Sequence, residues 1–219
     1  MIYIGIDFSL NSPAFCVFKN KTFYWGSLTR SDRTIESLQK SKDKPFSILG
    51  SEDWISLKIL EKKELPDEYS QKERVKIDYF QELVESFWIM IEPLIDGENV
   101  SIAMEGLSFA SNGNALIDIS MATALIRKKI VDKFTSDCFH VFSPTSIKKF
   151  AKKGNAKKDE LYLAILDKEL PGTNFSDLTN ILKQNKHNWI TKSGSVNKPL
   201  DDVIDATWIC LYLIENETH

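Results

Sequence analysis

The sequence predicts an α/β layered domain built on a mixed sheet, and two observations predict it. Three short apolar strand patterns lead the chain before any long helix, and after them strands alternate with helices. A chain of 219 residues, 42% hydrophobic and 27% charged, suits one globular domain over residues 1–219 with a sizeable core.

The elements follow in order. In "IYIGID", Ile2, Ile4 and Ile6 alternate with Tyr3, Gly5 and Asp7, the period of a strand over 2–8. "PAFCVFK" and "KTFYWGSL" give strands over 13–19 and 21–28, joined at "NK" by a tight hairpin that lacks the favoured Asn-Gly pair. Residues 30–70 are charged and without pattern until "EDWISLKILEKKEL", which reads as a helix within an insertion or lid. Val75, Tyr79, Leu83, Phe87 and Met90 place a long helix over 71–95, stopped near Pro93.

"VSIAMEG" is again a strand, followed by a helix at 114–134 and a strand at 137–142. Ser143 caps a helix that has Pro144 at its first position, and "AKKDELYLAILDKEL" forms another. Residues 171–199, rich in Asn, Lys, Ser, Thr and Gly, read as a second insertion, a long loop with a short helix near "FSDLTNILK". The last helix spans 200–214. With three strands leading, the sheet is expected to have five strands, the first three antiparallel.

Composition excludes several functions. No apolar run approaches the roughly 18–20 residues of a membrane span, and the N-terminus carries no secretory pattern. Cys16, Cys138 and Cys210 are far apart, which argues against a disulfide framework or zinc site and predicts a cytoplasmic protein. Neither a G-x-G-x-x-G nor a G-x-x-x-x-G-K-[ST] loop is present. The net charge of −3 hides an asymmetry, because residues 143–158 hold six lysines and no acid.

Two strands end in an acid, Asp7 and Glu105. Two positions before each, on its own face, stands a very small residue, Gly5 or Ala103, which leaves room for a ligand or a packed helix. "LDDVIDA" sets Asp202 and Asp205 three apart on one helix face, and Asp201 and Asp205 four apart. Acids at a helix start also suit its dipole, and Asn197 or Asp201 can serve as its cap. Buried carboxylates need compensation, and divalent cations with oxygen ligands, Mg²⁺ or Mn²⁺, supply it. His140, His187 and His219 show no metal-binding spacing.

"IGID", "MEGLSFASNGNALIDISMATAL", "SPTSIKKFAKKGNAKKDEL" and "DDVIDA" together resemble the RuvC family of Holliday-junction resolvases, in particular its compact bacteriophage members. The resemblance runs over most of residues 1–28 and 100–214. It implies a ribonuclease-H fold and magnesium-dependent cleavage of branched DNA, leaving a 3′-hydroxyl and a 5′-phosphate, with two metals in each site. It makes Asp7, Glu105, Asp202 and Asp205 the metal-binding catalytic acids. Gly154, Ala156 and Lys158 fall on the family's G-x-A-x-K stretch, where the lysine assists catalysis or grips phosphate. Lys152 stands where a second glycine is common, Asp201 leaves open which neighbour of Asp205 is the ligand, and the stretches 30–70 and 171–199 have no counterpart in the short members.

Beside these acids, Lys148, Lys149, Lys152, Lys153, Lys157 and Lys158 are expected to hold a nucleic-acid backbone. Phe109 and Asn112 lie in the Gly/Ser/Asn-rich loop after Glu105, where an aromatic can stack on a base or wedge into a junction. In the helix "ALIDISMATALIRKKIV", Leu116, Ile119, Ala122, Thr123, Ile126 and Ile130 form an apolar stripe that Met121, Ala124, Leu125 and Val131 widen. Symmetric cutting of a junction needs two sites related by a two-fold axis, so the resemblance implies a homodimer. The width of this stripe makes the helix its candidate interface, against the alternative of a helix buried between the sheet and the 71–95 helix. The competing functions are a ribonuclease-H-fold nuclease acting on flaps, gaps or RNA–DNA hybrid, and a DNA-binding accessory protein that does not cut. Actin-like ATPases and sugar kinases also open on strands like "IGID", but their duplicated domain runs well beyond this length.

Overall fold

The opening alternation forms β1 (Ile2–Asp7), followed by β2 (Ala14–Lys19) and β3 (Thr22–Ser31), in a computed structural model that describes residues 1–31, 49, 52–95, 99–107, 113–191 and 195–218. β2 pairs antiparallel with both β1 and β3. The two-residue turn between β2 and β3 puts Asn20 and Lys21 at φ 51° and 65°, the left-handed geometry that matches the twist of a tight hairpin. The hairpin lacks its usual glycine, and the chain accepts that conformation at Lys21 instead.

β5 (Val100–Glu105) runs parallel to β1, and β6 (Phe139–Phe142) runs parallel to β5. These five strands stand in the order β3-β2-β1-β5-β6, the ribonuclease-H-like arrangement. A sixth, β4 (Ile55–Glu61), extends the sheet by pairing parallel with β3. The expected helix over "EDWISLKILEKKEL" is therefore corrected to a strand. Short apolar runs satisfy both periods, and the ten-residue edge of β3 decides between them. Ile55 and Leu57 then pack on one face of the sheet and Leu60 on the other.

Helices cover both faces. On one side lie α1 (Tyr69–Ile91) and α2 (Asn114–Lys133), packed on Ile2, Ile4, Ile6, Ile102 and Met104. α1 runs into a single 3₁₀ turn that contains Pro93, as the stop signal predicted. On the other side lie α3 (Pro144–Ala151), α4 (Lys158–Leu166), α5 (Phe175–Gln184), the one-turn α6 (Lys186–Trp189) and α7 (Leu200–Thr218). Ser143 accepts a hydrogen bond from the Ser146 amide at 3.1 Å, the expected cap of α3.

Much of the stretch 171–199 is helical and joined to the core. Phe175, Leu178, Leu182 and Trp189 are buried, and Asn174 exchanges two hydrogen bonds with the backbone of Phe23, 2.7 and 2.9 Å long. α7 lies across β1, β2 and β5. The space predicted above Gly5 and Ala103 holds this helix. Among the described residues, no helix is long and apolar enough to cross a membrane.

Candidate active site

Parallel pairing brings the two strand acids together. Ile6 is in register with Met104, so the next residues, Asp7 and Glu105, end their strands side by side. α7 delivers the other two, because its first turns pass over the ends of these strands. The result is a pocket of about 320 Å³ lined by Asp7, Glu105, Asp202 and Asp205, with Lys148 from α3 and Lys158 from the start of α4. Asp201 is not among its lining residues. It accepts a hydrogen bond from the Asp202 amide at 3.0 Å and has its carboxylate 3.8 Å from the Lys158 ammonium.

Burial raises every carboxyl of this pocket, with the lysines opposing. Burial, then the negative charges of Asp205, Asp202 and Glu105, hold Asp7 well above the usual carboxylate range, with Lys158 opposing. Glu105 is raised by burial and by Asp205, against Lys148 and Lys158. Asp202 is pushed up to about 6, by burial first and Asp201 second, while Lys198 and Ser12 pull the other way. Asp205 is raised by burial despite the Lys158 ammonium that donates to it. Burial opposes the charge on Lys158, but Asp205, Asp7 and Asp201 outweigh it and raise that lysine.

Such a donor set, hard carboxylate oxygens with an excess of negative charge, fits Mg²⁺ or Mn²⁺ and not softer metals. The cluster is not a closed cage. Among the described residues, no three His, Cys, Asp or Glu side chains stand close enough, as placed, to hold one ion between them. Lys158 sits on Asp205, and Lys198 sits on Asp202.

The other expected residues divide. Lys149, Lys152, Lys153 and Lys157 are exposed, and Lys153 is paired with Glu160 at 2.5 Å. Lys157 also starts α4, its amide donating to Glu160 at 2.9 Å. Phe109 and Asn112 lie outside the described residues. Of the α2 stripe, Ala122, Ile126 and Ile130 are buried under α1 and the sheet. Leu116, Ile119 and the buried Thr123 line the acid pocket instead. Ile117, Met121 and Val131 remain exposed on α2.

Two residues that hold Asp202 are not among the candidates the sequence offers, Ser12 and Lys198. Lys198 stands four before Asp202, a charge-pair spacing, although the lysine precedes the helix. Nothing in the sequence points to Ser12.

No family model matches the chain, and no curated protein matches it in sequence. Among solved structures it is similar to RuvC of Thermus thermophilus, with 13% identity, a TM-score of 0.42, and coverage of 100% of this chain and 98% of that one. It is likewise similar to T. thermophilus RuvC in complex with a Holliday junction substrate, with 13% identity, a TM-score of 0.45, and coverage of 100% and 96%.

Proposed function

We propose that this chain is a metal-dependent endonuclease of RuvC type that cuts branched DNA, working as a homodimer. The observation that carries the reading is the meeting of four acids, from two adjacent parallel strand ends and one helix, in a single pocket with two lysines. The motif resemblance of "IGID", "MEG", "GNAKK" and "DDVIDA" supports it independently.

In this reading Asp7, Glu105, Asp202 and Asp205 would hold two divalent ions, Mg²⁺ or Mn²⁺, which when bound would supply an activated water and stabilisation of the attacking and leaving oxygens at phosphorus. The chain's own residues do the rest. Lys158 and Lys148 bring positive charge to the pocket, where a scissile phosphate would enter. The exposed Lys149, Lys152 and Lys157 hold flanking backbone by charge, without reading sequence. Residues 1–219 act as one nuclease domain.

The test is cleavage of labelled four-way junction, flap, RNA–DNA hybrid and linear duplex with and without Mg²⁺. Magnesium-dependent nicking of the junction above the others is expected. Preference for flap or hybrid moves the protein to another ribonuclease-H-type nuclease, and binding without nicking makes it an accessory protein.

A further inference from the structure

Asp202 is 3% exposed and carries a charge that protein groups meet from outside the acid pocket. The Lys198 ammonium donates to its Oδ1 at 2.9 Å and its Oδ2 at 2.8 Å, and to the Ser12 hydroxyl at 2.8 Å. The Ser12 hydroxyl donates in turn to Asp202 Oδ2 at 2.5 Å. Asp202 lines the acid pocket, whereas neither Lys198 nor Ser12 does. The two groups therefore back the carboxylate and leave its other side to the pocket.

Each partner is itself held. Trp189 is fully buried, and its indole N–H donates to the Leu182 carbonyl at 3.1 Å. From that anchor Ile190 bridges Val196, and the Asn197 amide donates to the Trp189 carbonyl at 2.8 Å. Lys198 is the next residue, two before the start of α7. On the other side, Ser12 follows β1 in a loop whose Asn11 and Pro13 carbonyls accept from the backbone of Arg30 and Leu28, at 2.7 and 3.0 Å. The triad thus ties the loop that follows Asp7 to the helix that carries Asp205.

We infer that Lys198 and Ser12 are positioning residues that aim Asp202 into the acid pocket, and that the anchor at Trp189 delivers the lysine. The inference rests on the metal-binding reading of the site. A carboxylate that binds a cation is ordinarily held by outer hydrogen-bond partners, and losing one typically costs about 10–100-fold in metal affinity.

The experiment is Mn²⁺ binding, followed by calorimetry and by the metal-induced rise in melting temperature, in wild type, Lys198→Met, Lys198→Arg and Ser12→Ala. Lys198→Met should weaken Mn²⁺ binding about tenfold or more. Lys198→Arg, which keeps charge and donors, should recover most of the loss. Ser12→Ala removes no charge and leaves the ion pair in place, so it serves where Lys198→Met fails to fold. It should weaken binding in the same direction. A purely structural role would lower the metal-free melting temperature yet leave Mn²⁺ affinity unchanged, and that result overturns the inference alone. Tighter binding in Lys198→Met also overturns it, showing Lys198 to be a competitor of the ion. Absence of Mn²⁺ binding in wild type overturns the proposed metal site and this inference with it.

Discussion

Gly5 of β1 and Cys210 of α7 meet backbone to backbone. A Cβ added at Gly5 would lie 2.3 Å from the Cys210 amide nitrogen and 2.3 Å from the Ala206 carbonyl oxygen. The glycine is what lets α7 descend onto the sheet, and that descent brings Asp202 and Asp205 to the strand acids. Backbone atoms cannot step aside as side-chain ends do. Gly5→Ala should therefore cost about 3 kcal/mol of stability, the upper range for overpacking. Any folded fraction should bind divalent ions more weakly, because the helix must rise. Chemical denaturation together with Mn²⁺ titration checks both parts.

Asp7→Asn should abolish magnesium-dependent cleavage while DNA binding survives or tightens, since the phosphate then meets one negative charge fewer. Cleavage and gel-shift assays read the two effects separately. Unchanged turnover would remove Asp7 from the metal site.

The same variant has a signature in stability. Burial first, then neighbouring acids (chiefly Asp205 for Asp7 and Asp201 for Asp202), raise Asp7 and Asp202, the latter to about 6. The folded state then keeps protons that the unfolded chain has released, so these acids cost stability as pH rises from about 4 toward and beyond 6. Metal-free Asp7→Asn should melt higher than wild type at pH 7, with the gain shrinking toward pH 4. Melting temperatures across that range, with and without Mg²⁺, test it, and saturating Mg²⁺ should reverse the order in favour of wild type.

Lys149, Lys152, Lys153, Lys157 and Lys158 are all exposed, and of these Lys153 and Lys158 are paired with acids. Replacing Lys149, Lys152 and Lys157 by Ala should weaken binding to every DNA structure alike. The slope of log affinity against log salt should fall by up to about three charge equivalents. An unchanged slope would make this surface merely solvated.

A resolvase that cuts symmetrically needs two sites related by a two-fold axis. Sedimentation at micromolar concentration should show a dimer. Ile117, Met121 and Val131, exposed on α2 beside its buried stripe, are the first candidates for the contact. Ile117→Glu combined with Val131→Glu should shift the protein toward monomer without unfolding it. A strict monomer, even with junction DNA present, would favour a nuclease that nicks one strand at a time.

The sequence by itself determined the elements whose pattern is local. Alternation in "IYIGID" and "VSIAME", helical spacing from Val75 to Met90, and the Ser143-Pro144 start each depend on neighbours a few residues away, so strands, helix and cap were legible. The acids were legible too, since each sits at an element end where an uncompensated carboxylate is costly. Tertiary structure alone decided the rest. "ISLKIL" suits helix or strand, and the free edge of β3 made it β4. Whether the room above Gly5 held a ligand or a helix depended on α7, about 200 residues away in sequence. Asp202 and Asp201 are equivalent in spacing, and only the docking of α7 turns Asp202 into the pocket. Ser12 and Lys198 lie 186 residues apart and meet solely because β1 and α7 are neighbours. Long-range contacts of this kind leave no periodic trace, because their geometry is created by packing.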